Sequence, residues 1–183
     1  MYEAIGYPRL REFLEAHVAQ FEAVTHEATI SAQEQAAAMH LPGATVAKVL
    51  VVKERDGFVM AVVPASSEVD LDRLKGLIGH GEIRLATVEE IRDVVDDCTP
   101  GMIPPFGALY GLRTFVDERL LLAPQVTAPA GDPCTAIRLS LAEFRRLAGA
   151  TLGDFAVPEA LVASGGVARR GSGRASSGMR SRR

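Results

Sequence analysis

The chain has 183 residues, of which 48% are hydrophobic, 5% aromatic and 23% charged, with no tryptophan. That apolar share suffices for the core of one domain, and the near-average charge content argues against wholesale disorder, collagen-like repeats and a coiled coil. The net charge of −3 averages two unlike parts: 14 basic against 23 acidic residues up to Ala163, and six arginines without one acid from Ser164 to Arg183.

Apolar runs such as Val49–Val52 and Phe58–Pro64 fall far short of the ~18 residues of a membrane span. The opening MYEAIGYPRL has no basic region followed by an apolar one, so it does not read as a secretory signal. Cys98 and Cys134 alone build neither a disulfide framework nor a tetrahedral zinc site. The expectation is a cytoplasmic protein without metal, cofactor or membrane partner.

In chain order, Pro8 is suited to open a helix, and Leu10, Phe13, Leu14, Val18 and Phe21 recur at helical spacing as one apolar stripe. Ala23–His26 reads as extended. Ser31 and Glu34 form a capping-box pattern ahead of the Ala-rich run to Met39, which Leu41-Pro42-Gly43 ends. Thr45–Lys53 and Phe58–Val63 flank Asp56-Gly57 and predict a hairpin. Asp70 is placed to cap a helix through Gly79 with Leu71, Leu74, Leu77 and Ile78 inward. Ile83–Ala86 reads as a short strand, and Thr87 with Glu90 caps a helix ending near Asp96. Further strands are predicted at Leu112–Val116, Leu120–Leu122 and Ala136–Leu139, and Ser140 with Glu143 opens the last helix. This order of elements predicts an α+β domain over residues 1–163, followed by a disordered Arg/Gly/Ser-rich tail over residues 164–183.

There is no phosphate loop, GxGxxG, HExxH or GxSxG motif, and the four histidines are scattered. Three other features could carry chemistry. Lys48 interrupts an apolar strand, so it needs either an anionic partner or a place at the sheet edge where it can snorkel; the pattern favours the edge. The segment CTPGMIPPFG, Cys98–Gly107, has three prolines and two glycines yet carries Met102, Ile103 and Phe106, which marks an ordered and partly buried loop. Its Cys98 is a conceivable thiol nucleophile, though a buried small residue fits the context better. The stretch Val62-Val63-Pro64, followed by Val69-Asp70-Leu71, is the third.

Taken together, VTHEA, SAQEQAAAMHLPG, TVAKVLVV, AVVPASSEVDLDRL, GMIPPFG and TFVDERL run in an order that resembles the YbaK/prolyl-tRNA synthetase-associated domain family. The resemblance spans residues 20–148. It implies a mixed, mostly antiparallel and partly barrel-like sheet flanked by helices, and hydrolysis of aminoacyl-tRNA esters that carry the wrong amino acid. It also implies that Lys48 contacts the terminal nucleotide, that Gly101 belongs to the catalytic loop, and that Met102, Ile103, Pro104, Pro105, Phe106 and Gly107 complete the loop that holds the aminoacyl group. His26 matches a pocket-side position. The implied partners are the acceptor end of an aminoacyl-tRNA and an aminoacyl-tRNA synthetase. One departure stands out: where the family often has a Gly-Ser-His-like turn, this chain reads Gly131-Asp132-Pro133-Cys134. That implies another amino-acid preference, a weakened enzyme, or a non-catalytic module that binds RNA or a small ligand in the same pocket.

Overall fold

The computed structural model describes residues 2–79 and 81–159; the Arg-rich extension expected over 164–183 lies outside the described residues. Helix α1 (Pro8–Ala16) begins at its proline and buries Leu10 and Leu14. Strand β1 (Glu22–Thr25) leads to α2 (Ala32–Ala38), where the Ser31 hydroxyl accepts from the Glu34 N–H and the Glu34 carboxylate accepts from the Ile30 N–H. The predicted hairpin is β2 (Ala47–Glu54) with β3 (Gly57–Pro64), paired from Ala47↔Pro64 to Glu54↔Gly57. Strand β4 (Ser67–Val69) precedes α3 (Leu71–Ile78), which Asp70 caps through the Asp72 and Arg73 N–H groups. Next come β5 (Arg84–Leu85) and α4 (Val88–Val94), the latter with a complete capping box from Thr87 and Glu90. The second half holds β6 (Arg113–Asp117), β7 (Gln125–Pro129), β8 (Thr135–Ser140), α5 (Leu141–Ala148), β9 (Thr151–Gly153) and β10 (Ala156–Pro158).

These strands form three sheets, in the orders β5-β2-β3-β6-β9, β1-β8-β7 and β10-β4. Only β3–β6 and β6–β9 pair in parallel, so the expected mixed, mostly antiparallel α+β fold is what the chain adopts. A parallel bridge between Val46 and Thr127 joins the two larger sheets along one seam, and the described strands do not close into a barrel. Both faces of the five-stranded sheet are covered. Ala47, Val51, Met60 and Val62 meet α1, α5, β7 and β8, whereas Val52, Val59, Ala61 and Val63 meet Leu74, Phe115 and Phe155. A strand buried on both faces reads as a continuous apolar run, which is how β3 is written.

Several expectations are corrected. Leu120–Leu122 is not a strand but part of a 3-10 turn, Glu118–Leu122. The Asp117 carboxylate accepts from the Arg119 N–H (2.9 Å) and winds the chain there, burying Leu120 and leaving Leu122 85% exposed. Val18 does not join the α1 stripe: the helix ends at Ala16, Val18 takes a left-handed conformation (φ 48°), and it points to solvent. Leu77 is half-exposed rather than inward. Lys48 is not an edge residue that snorkels, since its ammonium meets the Glu68 carboxylate at 2.9 Å and its side chain is only 12% exposed.

Asp117 is fully buried, and it does more than start that turn. Its carboxylate also accepts from the N–H groups of Phe155 (2.7 Å) and Ala156 (2.6 Å), and the Arg119 guanidinium lies against it at 3.3 Å. Asp117→Ala leaves two buried N–H donors unpaired at about 1–3 kcal/mol each. We expect a loss of about 3 kcal/mol or more of unfolding free energy, measured by urea denaturation.

Candidate functional site

Three stretches of chain converge beside the N-terminal end of α2. The first runs from the end of β1 into that helix and carries His26, Thr29, Ile30 and Gln35. The second is the Pro/Gly loop, and the third is the turn Gly131–Cys134. Backbone hydrogen bonds lace them: His26 N–H to the Cys134 carbonyl (2.9 Å), Thr29 N–H to the Pro133 carbonyl (3.0 Å), Gly131 N–H to the Met102 carbonyl (2.9 Å) and Thr99 N–H to the Gly131 carbonyl (3.1 Å). The turn that departs from the family pattern is thus the joint between the other two.

Within the loop, Gly101 is exposed and takes φ +87°, and a Cβ there would run into the Ile30 carbonyl oxygen. Only glycine lets the loop lie this close to the α2 entry. Met102, Ile103, Pro104, Pro105, Phe106 and Gly107 are all buried. Ile103 and Phe106 belong to the main core, and Phe106 stacks on Phe13 at 5.4 Å. These side chains therefore anchor the loop, and what it offers a ligand is backbone. The Met102 N–H is spent on the Thr99 carbonyl and the Gly107 N–H on the Thr114 hydroxyl (3.1 Å). The Gly101 and Ile103 N–H groups have no acceptor among the described residues.

Lys48 sits apart from these side chains. Along β2, Ala47, Val49 and Val51 face the core that holds Ile103 and Phe106, while Lys48, Leu50 and Val52 face the opposite side. Its partner Glu68 lies on β4, aligned with Val157 of β10. His26 is half-buried, and both ring nitrogens are engaged: Nδ1 with the Glu27 carbonyl (2.7 Å) and Nε2 with the Gln35 carboxamide nitrogen (3.0 Å). A carbonyl only accepts, so Nδ1 carries the hydrogen and Nε2 accepts. Outside this wall, an open groove of about 470 Å³ runs between β1 and the C-terminal end of α2, with His26, Met39, His40 and Arg138 along it.

A thiol mechanism does not fit. Burial pushes the Cys98 thiol up to about 12, and the neighbouring carboxylates of Asp97 and Asp132 push the same way. Tyr7 and Tyr110 beneath the turn are likewise raised by burial; the Tyr7 hydroxyl donates to Asp97 at 2.6 Å, so both phenols stay protonated. Gly131 (φ +96°) packs directly on the Tyr7 ring. Among the described residues no three His, Cys, Asp or Glu side chains converge to hold a metal ion, and no helix is long and apolar enough to cross a membrane.

Residues 26–147 match the family described as the aminoacyl-tRNA editing domain. The chain belongs to the aminoacyl-tRNA editing domain family. Among solved structures it is similar to a candidate trans-editing enzyme for prolyl tRNA synthetase, with 30% identity and a TM-score of 0.71 over 81% of this chain and 95% of that one. A hypothetical protein with 22% identity shares the fold at a TM-score of 0.74, over 81% of this chain and 99% of that one. Proline–tRNA ligases of Thermosipho africanus (37% identity over 70 residues, 38% of this chain) and Exiguobacterium sibiricum (40% over 68 residues, 37% of this chain) also align. The aligned segment is 12% of each ligase, so the chain spans a small part of the curated relatives it matches.

Reasoning from sequence missed Glu68, Gln35 and Thr29. Glu68 had a signal, since a lysine in an apolar strand calls for a nearby acid. Gln35, inside an alanine run, had only its own incongruity.

Two outcomes follow. Iodoacetamide at pH 7.5 is expected to alkylate the exposed Cys134 and to leave Cys98 unmodified, read by peptide mass spectrometry of the folded protein. Gly101→Ala is expected to destabilise the fold by roughly 1–3 kcal/mol, because φ and contact both oppose a Cβ; thermal denaturation measures it.

Proposed function

We propose that the chain is a trans-editing deacylase that hydrolyses the ester of a mischarged tRNA carrying a small amino acid of the alanine, serine or cysteine type. The observation that carries this reading is the buried-side-chain loop of a family member, whose Gly101 lies against the α2 entry and whose Gly101 and Ile103 N–H groups are unpaired among the described residues. An aminoacyl ester is already activated, so its hydrolysis needs no enzyme nucleophile. Water attacks the ester carbonyl, the oxygen becomes an oxyanion, and the bond to the ribose oxygen breaks with a proton returned to that oxygen. The two N–H groups are suited to receive the oxyanion, and loss of one such donor typically costs about 10² to 10³ in rate. The vicinal ribose hydroxyl is the group we assign to orient the water, since His26 has both nitrogens engaged and Cys98 is held protonated.

Lys48 is assigned to the phosphate of the terminal nucleotide, as a compact charge held by Glu68 until the ligand arrives. The preference for small amino acids rests on the tightly packed loop; an apolar pocket separates one methylene by only ~1–3 kcal/mol but excludes bulk sterically. The partners we assign are the acceptor end of an aminoacyl-tRNA and, by likeness to the ligase segments, an aminoacyl-tRNA synthetase in the cytoplasm. Pro133 in place of a histidine favours a second reading, a non-catalytic module that sequesters RNA or a small ligand in the same pocket.

Incubation with tRNAs charged with alanine, serine or cysteine decides between them. Amino acid released above the buffer rate supports the deacylase, and tight binding without release supports the module. Lys48→Ala is expected to lower kcat/KM about 100-fold with a thermal midpoint within a few degrees of the parent; full activity in that variant would overturn its assignment.

A further inference from the structure

Charge divides along this chain at one place, and neither the fold nor the proposed chemistry makes use of the division. Up to Ala163 there are 14 basic against 23 acidic residues, a balance of −9. Arg169, Arg170, Arg174, Arg180, Arg182 and Arg183 then follow in a stretch without one acid. These arginines bring the whole chain to −3, nearer to neutrality. A net charge far from zero keeps a protein soluble, so a solubilising role would call for more acid, not for six cations.

The point at which this stretch leaves the fold is well defined. Strand β10 pairs with β4 so that Val157 lies opposite Glu68 and Pro158 opposite Ser67. The Glu159 N–H then donates to the Ser66 carbonyl at 3.1 Å. Glu68 is the residue whose carboxylate meets the Lys48 ammonium at 2.9 Å. The chain therefore departs beside the cation assigned to the terminal nucleotide. Ten residues lead from Glu159 to Arg169, a span of at most about 35 Å. The first two arginines are thus confined to the neighbourhood of Lys48.

We propose that these six arginines bind the phosphate backbone of the tRNA behind its acceptor end and supply the attraction that the acidic body lacks. The inference takes its partner from the deacylase reading and adds the surface that holds it. Lys48 already has a carboxylate, so exchanging that for one phosphate gains little. An arginine fork matches two phosphate oxygens at once, and six of them release a set of counterions from the RNA. A lipid surface fits less well, because Val167 and Met179 are the only large apolar side chains from Ser164 to Arg183. The chain's own acids fit less well too. Glu22, Glu54, Glu90 and Glu143 already hold arginines of the body, whereas RNA presents a charge at every nucleotide.

The test compares the full-length parent with a full-length variant in which all six positions are changed, Arg→Ser. Binding of each to uncharged tRNA is read by fluorescence anisotropy between 50 and 200 mM salt. The affinity of the parent is expected to fall about 10³-fold over that range. The variant is expected to bind about 100-fold more weakly at 50 mM, with a shallow salt dependence. On charged tRNA its loss should fall on KM rather than kcat, since the arginines touch RNA and not the ester. Equal binding by parent and variant overturns the inference; a lowered thermal midpoint in that variant would then assign the arginines to the chain's own surface. A parent whose affinity barely responds to salt overturns it as well, as does tighter binding to phosphatidylserine vesicles than to tRNA. A parent that binds tRNA as expected but releases no amino acid leaves the inference standing and overturns the deacylase reading alone.

Discussion

The Asp117 carboxylate is the point from which the far edge of the molecule is organised. It ends β6, the strand that pairs in parallel with both β3 and β9, and it is buried with both carboxylate oxygens hydrogen-bonded or ion-paired. By accepting from Phe155 and Ala156 it turns the chain after β9 and aims it along β4. Phe155 then fills the second core against Leu74 and Phe115, and its carbonyl accepts from the Asp70 N–H at 2.7 Å. A buried carboxylate is costly unless fully satisfied, and this one is satisfied chiefly by backbone that has no other partner.

The consequence reaches Lys48. Strand β4 is three residues long and too short to hold its place alone; it is held by β10, which exists because Asp117 captures Ala156. Glu68 rides on β4 and fixes the Lys48 ammonium. The path from a core carboxylate to the Lys48 ammonium is thus three links long, and each is a hydrogen bond or a strand pairing. Lys48 also lies on the face of β2 opposite the one that anchors the Pro/Gly loop. A ligand that touched both would have to wrap the N-terminal end of β2, the place where Val46 bridges to β7.

What was legible in the sequence divides along the range of the forces involved. The hairpin at Asp56-Gly57 and the caps at Ser31, Asp70, Thr87 and Ser140 are local devices, and each sits where its few residues say. The loop was legible as ordered because prolines beside Ile103 and Phe106 make no sense in a solvated linker. Strands β4, β9 and β10 were not legible, since three residues carry no periodicity and their pairing is decided by Asp117 from a distance. Strand β7 is framed by Pro124 and Pro129, which hid it. The Leu120–Leu122 run has strand-like content, but a side-chain acceptor at its start winds it into a turn. The loop and Lys48 could be singled out from the sequence, whereas Glu68, beside Lys48, and Gln35, beside His26, could be found only once the strands and helix had been placed.

Charge follows the same logic. A body with 23 acids against 14 bases repels a polyanion at long range, so attraction must be local. Lys48, the cation best placed by the fold, is already neutralised by Glu68, which means that a phosphate gains only what it adds over an existing ion pair. Arg138, in the groove beside His26, is likewise paired, with Glu22 at 2.9 Å. The bulk charge of this body and these two prepaired cations therefore add little net attraction for a polyanion. On the deacylase reading, discrimination rests on short-range contacts of the aminoacyl end with the rigid backbone loop. On the same reading, such a site trades affinity for the RNA against selectivity for what the RNA carries, the balance an editing deacylase needs when correctly charged tRNA far outnumbers its substrate.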